Sequence, residues 1–186
     1  MQMPICMQSI ADVDRGLTEV MALLADIKIS RASYREVKNV DMLDSPLTTT
    51  GVLTYSSPDT LVRDVQEPQA ARYEIRGGQV TIIRGKKIET IALGANPLAL
   101  AFIESFRSTL AGNLEQLQVY YVVEFSGSVK AWKLQLLPRD KQMRRIIENI
   151  VIEGNEAIIT VIETYEANGD WTRMELMPID MQGKSN

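Results

Sequence analysis

The chain begins with a helical pattern and changes to strand patterns near residue 27. Apolar residues recur at helical spacing from Ile10 to Leu24, after the segment SIAD at residues 9 to 12, which resembles a capping box. This spacing predicts an amphipathic helix over residues 9 to 26. Residues 27 to 37 alternate instead, with weak hydrophobicity on both faces, which predicts an exposed strand that binds at a sheet edge.

The rest of the chain is a series of short strand patterns that are separated by turn signals of two or three residues. The clearest turn signals are Gly77-Gly78, Ser126-Gly127-Ser128, Gly154-Asn155 and Asn168-Gly169. Only hairpins fit such short connections, so the sheet is predicted to be antiparallel. The second signal separates predicted strands at 118 to 125 and 129 to 137. No repeat or long linker interrupts the series, and residues 1 to 186 are interpreted as a single domain.

A second helix is predicted between these strands, over residues 97 to 110, and both of its ends are marked. Asn96 is the expected N-cap, Pro97 takes the first helical position, and Gly112 follows the last turn. Its polar residues form a narrow stripe of Glu104, Arg107 and Ser108. A helix that is otherwise so apolar must be covered over most of its circumference.

About ten antiparallel strands in a chain of this size either close into a barrel or curl into an open one, with the apolar helices against the concave face. Alternation within the strands gives the side chains that are expected to face inward. They are Leu53, Tyr55, Leu61, Val65, Tyr73, Ile75, Val80, Ile82, Val119, Tyr121, Val123, Phe125, Trp132, Leu134 and Leu136. Periodicity does not show whether this interior is packed or hollow.

Composition excludes several classes of function. The 20 Lys and Arg residues against 24 Asp and Glu give a net charge of -4, which provides no overall positive field for nucleic acid or an anionic membrane. The absence of histidine excludes Ser-His-Asp and Cys-His nucleophile pairs and most catalytic zinc sites in their usual form. No P-loop, EF-hand or metal-ligand spacing is present, so no catalytic residue, metal site or cofactor is predicted.

The first residues of the sequence carry two further expectations. Cys6 has no cysteine partner in the chain and is interpreted as an inert thiol rather than an acylated N-terminal cysteine. A basic n-region and an apolar h-region are both missing, so the chain is interpreted either as cytosolic or as a mature form whose signal peptide has been removed.

Several segments, taken in order, resemble the periplasmic outer-membrane lipoprotein carrier family, LolA. They are PLTTTGVLTYSSPDTL (46 to 61), the strands around Gly77-Gly78, the apolar helix followed by LAGNLEQL (110 to 117), WKLQLLPRD (132 to 140) and IVIEGNEAIITVIE (150 to 163). The resemblance extends from Leu17 to Met177 and is strongest to a LolA-related branch that is often encoded with lipid-like polyene or fatty-acyl biosynthesis genes. It adds a specific function to the fold that the pattern predicts.

The resemblance implies an α+β fold, an unclosed antiparallel β-barrel of about 10 to 11 strands with helices as a lid over a concave hydrophobic face. It also implies a periplasmic monomer that binds acylated lipoprotein or lipid cargo and that works with membrane-bound donor and acceptor proteins, without nucleic acid. The lipid-binding residues expected to line the cavity are Leu53, Tyr55, Leu61, Val65, Tyr73, Ile75, Ile82, Leu98, Phe102, Phe106, Tyr121, Val123, Phe125, Trp132 and Leu134.

The chain departs from the family at a position that bears on the lid. The family's carrier has an arginine before the corner proline, which is thought to keep the lid closed, whereas Pro58 here follows Ser57, which has no guanidinium. Arg63 shares the inward face and is the rim or latch candidate, either as a displaced latch or as a contact for a lipid headgroup. The simpler alternative is a rim arginine paired with Asp59 or Asp64.

Two groups of cations and two functional alternatives remain open. The cations at 84 to 87 and 139 to 145 are interpreted as solvated faces, with docking to an acidic partner or to anionic headgroups as the alternative. Trp132 is expected in the core and Trp171 at the rim. Besides a carrier, the sequence is consistent with a lipid-occupancy sensor or protein-interaction module on the same fold, and with a packed β domain that has no cavity.

Overall fold

The computed structural model describes residues 10 to 95 and 97 to 179, without the side chains of residues 10 to 14, 97 and 98. The expectations for Cys6 and for the caps at Ser9 and Asn96 lie outside the described residues. Three helices are described: α1 (Ile10–Ala25), α2 (Pro97–Leu110) and α3 (Leu114–Tyr120). Two short 3₁₀ helices, Leu93–Ala95 and Met143–Arg145, lie in connections.

Eleven strands form one antiparallel sheet. Their bounds are β1 (Ile29–Asn39), β2 (Leu47–Ser56), β3 (Thr60–Glu67), β4 (Ala71–Arg76), β5 (Gln79–Arg84), β6 (Lys87–Ala92), β7 (Tyr121–Ser128), β8 (Ala131–Pro138), β9 (Ile147–Asn155), β10 (Ile158–Glu166) and β11 (Trp171–Pro178). The strand order is β6-β5-β4-β3-β2-β1-β11-β10-β9-β8-β7, so β6 and β7 are the two edges. The α+β fold with an unclosed antiparallel barrel and helices on its concave face is confirmed.

Strand β1 is not at an edge of the sheet, which corrects the expectation from its weak hydrophobicity. It pairs with β2 on one side and with β11 on the other, with Tyr34 opposite both Gly51 and Leu176. A strand pairs with its neighbours through backbone hydrogen bonds. The polarity of its side chains therefore does not show whether it lies at the edge of the sheet or inside it. The inward side of β1 is polar because Glu36 and Lys38 lie along a cavity rather than in a packed core.

The chain between α2 and β7 is helical, where a strand from residue 118 was predicted. Asn113 is the N-cap of α3, because its Oδ1 accepts a hydrogen bond from the backbone N of Gln116 at 3.0 Å. Val119 therefore belongs to a helix and is 61% exposed, instead of facing the interior. Strand β7 starts only at Tyr121.

The concave face has a packed part and a hollow part. Helix α1 packs on β7, and its Val20 and Leu24 join the core that contains Trp132, Leu134 and Ile152. Helix α2 lies over the other part, against strands β2 to β5. Helix α1 thus covers the larger packed part, whereas α2 packs on the cluster of Tyr55, Leu61, Ile75 and Leu93 and also covers a cavity.

The corner after α2 is held closely against α1. Gly112 has a φ of 61°, and a Cβ at this position would lie 2.1 Å from the carbonyl O of Met21. Only glycine tolerates both the left-handed backbone and this approach. The C-terminal end of α2 is thus anchored to the packed half of the molecule.

Candidate binding cavity

A cavity of about 1080 Å³ lies between α2 and the inner face of the sheet. Its apolar wall consists of Leu53, Leu61, Val65, Ala71, Ile75, Val80, Ala99, Phe102, Ile103, Phe106, Met143, Ile146, Ile147, Ile162 and Met174. Small-molecule pockets usually have about 300 to 1,000 Å³. The interior under α2 is therefore hollow and large enough for an extended apolar ligand.

Eight of the predicted site residues meet around this cavity. They are Leu53, Leu61, Arg63, Val65, Tyr73, Ile75, Phe102 and Phe106. The strand residues among them share one face because successive inward positions of β2, β3 and β4 are in register, with Leu53 opposite Arg63 and Arg63 opposite Tyr73. Their part in lipid binding stays a prediction.

The other predicted site residues lie elsewhere. Tyr121, Phe125, Trp132 and Leu134 belong to the packed core under α1, and Val123 packs against it. Alternation places a side chain on a face, but it does not show which part of that face a helix fills. Tyr55 belongs to the buried cluster that also contains Leu61 and Ile75, and Ile82 lies beside Tyr73 on the inner face. The side chain of Leu98 is outside the described residues.

The sequence did not indicate four of the polar residues in the cavity wall. Glu36 and Lys38 come from β1, and Thr164 and Glu166 from β10. The two residues of β1 were missed because that strand was interpreted as exposed. Alternation from Tyr34, which is buried, would have placed Glu36 and Lys38 on the same inward face.

Arg63 is held by two residues of β1. Its Nη2 donates to Glu36 Oε1 at 2.8 Å and its Nε donates to Tyr34 Oη at 3.0 Å. The guanidinium also lies over the Tyr34 ring, 4.9 Å from the ring centre. The Glu36 side chain is only 16% exposed, so this ion pair is less screened than one on the surface.

Neither expected carboxylate pairs with Arg63. Asp64 pairs with Arg72 at 2.8 Å, and Asp59 accepts a hydrogen bond from the backbone N of Gly77. Asp64 follows Arg63 directly and therefore points to the opposite face of the strand. The interaction of Arg63 is inside the barrel.

Burial and neighbouring groups shift the pKa values of Arg63 and Tyr34. Burial opposes the charge on Arg63, but Glu36 and the Tyr34 hydroxyl more than offset it, so the guanidinium pKa is raised. Burial also raises the pKa of the Tyr34 hydroxyl, against the lowering effect of Arg63. Arg63 remains a cation inside an otherwise largely apolar cavity.

More charged residues mark the end of the cavity where β1, β5 and β10 finish. Lys38 Nζ pairs with Glu166 Oε1 at 2.8 Å, and Arg84 Nη2 donates to Tyr73 Oη at 3.1 Å. All four residues lie in the cavity wall. The cavity thus has an apolar interior and a charged mouth, the arrangement that suits an amphipathic ligand.

The back of α2 is polar and buried. Glu104 accepts hydrogen bonds from Arg107 and Ser108, and the Tyr121 hydroxyl donates to the Ala101 carbonyl O at 3.1 Å. Burial raises the pKa of Tyr121, which keeps its hydroxyl protonated as a donor. The polar stripe that the sequence predicted on this helix is therefore sequestered, and it adds little apolar contact that would hold α2 in place.

A second, smaller cavity of about 160 Å³ lies at the other end of the barrel. Leu24, Tyr55 and Ile159 contribute to its wall, and Leu53 lines both cavities. A single side chain therefore takes part in the wall of each compartment.

Neither a metal-binding cluster nor a membrane-spanning helix is found in the part of the chain that the structure describes. No group of three or more His, Cys, Asp or Glu residues is placed to hold a metal ion there. None of the described helices is long and apolar enough to cross a membrane.

An open antiparallel sheet with a helix over an apolar cavity defines a class of proteins, and the sequence places the chain within it. Residues 8–180 match the family described as outer membrane lipoprotein carrier protein LolA-like. The chain belongs to this LolA-like family, whose description supports a role in binding lipid or lipoprotein. No protein with curated annotation matches the sequence.

Two solved structures illustrate the likeness. A DUF1329 family protein from Desulfovibrio piger is 11% identical, with a TM-score of 0.54 over 93% of this chain and 95% of that chain. A LolA superfamily protein from Nitrosomonas europaea is 8% identical, with a TM-score of 0.48 over 93% and 94%. At these identities the likeness concerns the fold alone.

Proposed function

We propose that this protein is a periplasmic carrier that binds the acyl chains of a lipoprotein or of a lipid-like product and moves the cargo between membranes. The observation that carries the proposal is the cavity of about 1080 Å³ under α2 in a chain of the LolA-like family. Its action is binding and release, without a chemical step. The membrane-bound donor and acceptor remain part of the proposal.

The apolar wall supplies what an acyl chain needs to leave a membrane. Each buried methylene group contributes about 0.8 kcal/mol, so a carrier must offer comparable apolar surface. Leu61 and Ile75 on the sheet and Phe102 and Phe106 on α2 all line the cavity. In this proposal the acyl chain lies between them, and its polar end lies near Arg63.

Filling the cavity should prevent binding. Ala71 lies in the wall on β4, and the substitution Ala71→Trp is expected to lower affinity for an environment-sensitive fatty-acid probe about tenfold or more, since the indole occupies ligand space. Thr90→Trp, on the exposed outer side of β6, is the matched control and should bind as the wild type does. Native mass spectrometry of the same samples reports any copurified lipid.

Two results would contradict the carrier proposal. One is a wild-type protein that shows neither copurified lipid nor saturable probe binding. The other is an Ala71→Trp variant that is folded by circular dichroism and binds the probe with unchanged affinity.

Arg63 and Glu36 should affect ligands with a carboxylate in opposite directions. A ligand carboxylate competes with Glu36 for the guanidinium, and hydrogen bonds to charged groups contribute about 1.5 to 3 kcal/mol. Arg63→Gln is expected to weaken fatty-acid binding about tenfold, and Glu36→Gln to strengthen it. Titration with the acid and its methyl ester measures this, because the ester should respond to neither change. Equal effects on acid and ester would show that Arg63 only supports packing.

A sensor or protein-interaction module on the same fold is the alternative, and the edge strand β6 favours it. All six residues of β6 are exposed, so its free side is open to a strand from another protein. A sensor requires that cargo alters this edge. Hydrogen exchange of the β6 amides, with and without bound probe, should differ for a sensor and coincide for a carrier.

A further inference from the structure

The mouth of the cavity lies at a defined end of the barrel. In an antiparallel series, alternate connections lie at the same end of the sheet. The connections at 40 to 46, 68 to 70, 85 to 86, 139 to 146 and 167 to 170 therefore share one end, and the exposed lining residues Pro68, Gln69, Arg84 and Ile146 place the opening of the cavity there. Lys38, Arg84, Ile146 and Glu166 in the cavity wall all belong to this end.

Cations without an ion-pair partner flank this mouth. Lys86 lies in the connection between β5 and β6, and Lys141, Arg144 and Arg145 lie in the connection between β8 and β9. None of the ion pairs formed among the described residues includes any of these four side chains. Residues 139 to 145 hold four cations and one carboxylate, although the whole chain has a net charge of -4. The positive charge is therefore local.

The larger of these connections is held by hydrogen bonds to Asp140 and carries an exposed apolar residue. Asp140 Oδ1 accepts hydrogen bonds from the backbone N of Gln142 at 2.8 Å and of Met143 at 2.9 Å. Met143 is buried in the cavity wall, which leaves Arg144 and Arg145 directed to solvent. Ile146 follows them and is 46% exposed while it also lines the cavity.

Carboxylates at this end lie in two places. Asp140 and Glu148 are next to the larger basic connection, where Glu148 and Arg144 line the same surface depression. Asp41 and Asp44 lie in the connection between β1 and β2, in the middle of the sheet, whereas the cations lie next to its two edges. Asp170 is near them, since its Oδ1 accepts a hydrogen bond from the backbone N of Asp41 at 2.9 Å. The side of the mouth next to the sheet edges therefore carries more cations than carboxylates. This is the side that a negative surface would attract.

We propose that the two basic connections dock the mouth of the cavity onto an anionic bilayer, with Ile146 in the headgroup region. This inference rests on the proposed carrier function and names the surface from which cargo enters. Charge complementarity supports it, because basic residues near an anionic membrane attract it by about 1 kcal/mol each, or about fivefold in affinity. An apolar residue between such cations and a lipid-sized cavity gives cargo a path that avoids water.

The test compares two variants with the same loss of charge. Lys86→Gln with Arg144→Gln and Arg145→Gln removes cations at the mouth. Lys28→Gln with Arg76→Gln and Lys130→Gln removes three at the opposite end of the barrel, as the matched control. Flotation with vesicles of phosphatidylglycerol and phosphatidylcholine measures binding, and pure phosphatidylcholine vesicles report the part that needs no lipid charge.

We expect the wild type to bind anionic vesicles, to release them as salt is raised, and to lose binding about tenfold or more in the mouth variant alone. Absence of wild-type binding, or equal loss in both variants, overturns the inference. Absence of vesicle binding is also the result expected if an acidic protein is the partner of these cations. Probe affinity in detergent-free solution should be unchanged in both variants, so failure of docking stays distinguishable from failure of the carrier proposal.

Discussion

Tying α2 to the sheet is expected to stop uptake and release of acyl ligand. Leu100 on α2 and Val80 on β5 both pack around the cluster of Tyr55, Leu61, Ile75 and Leu93. A disulfide between cysteines at these two positions joins the cover to the wall below it. Exchange should fall to background in the oxidised protein and return on reduction, because in the carrier proposal α2 moves away from the sheet to widen the mouth for the ligand.

The structure gives a reason to expect this motion. The C-terminal end of α2 is anchored at Gly112, whereas Ala99, Phe102 and Ile103 of the same helix line the cavity. The back of the helix contacts the packed core through Ala101, whose carbonyl O accepts a hydrogen bond from the Tyr121 hydroxyl. Helix α2 is thus the element of the cavity wall that we expect to move.

The experiment uses a Cys6→Ser background so that no third thiol competes for pairing. Stopped-flow transfer of a fatty-acid probe from vesicles, with thiol titration to prove closure, gives the exchange rate. Each single cysteine variant under oxidising conditions is the control for the substitutions themselves. Exchange at the wild-type rate in the fully oxidised protein would show that α2 does not act as a lid.

The two tryptophans should differ strongly in their contribution to stability. Trp132 is 2% exposed in the packed half, and its Nε1 donates to the carbonyl O of Glu156 at 2.9 Å. Its ring lies so close to Gly154 that a Cβ there would be 2.2 Å from a ring carbon. Trp132→Ala should lower the free energy of unfolding by about 3 to 5 kcal/mol. Trp171→Ala, at the half-buried start of β11, should cost less than about 1.5 kcal/mol.

Urea unfolding followed by far-ultraviolet circular dichroism measures both values without relying on tryptophan fluorescence. The division of the barrel adds a second expectation: folded Trp132→Ala protein should bind the fatty-acid probe as the wild type does, since Trp132 does not line the cavity. Similar destabilisation by both substitutions, or lost probe binding in folded Trp132→Ala, would contradict the division into a packed and a hollow half.

Together the two results would separate stability from function within one sheet. The half under α1 supplies the packed core, with Leu134 and Ile152 fully buried. The half under α2 has a smaller buried cluster and keeps a cavity beside it. A cavity of this size lowers stability relative to a filled core, so it persists only because the other half compensates.

Features that depend on residues close together in the chain could be predicted from the amino-acid sequence alone. The bounds of α2 followed from Pro97 and from the glycine beyond its last turn, and the hairpins followed from their short turns. Alternation also placed Leu53, Arg63 and Tyr73 on one inward face, as the register shows. Local pattern was enough because these choices are made within a few residues of the chain.

The position of the cavity on the concave face, and the residues that come together in its wall, depend on the tertiary structure. Trp132 and Ile75 both alternate as inward residues, but α1 covers the first and α2 spans a cavity above the second. Glu36 became the partner of Arg63 because β1 lies within the sheet two strands away, a neighbour that neither hydropathy nor spacing identifies. Such contacts depend on how distant segments curve around one another, and that is a property of the whole fold.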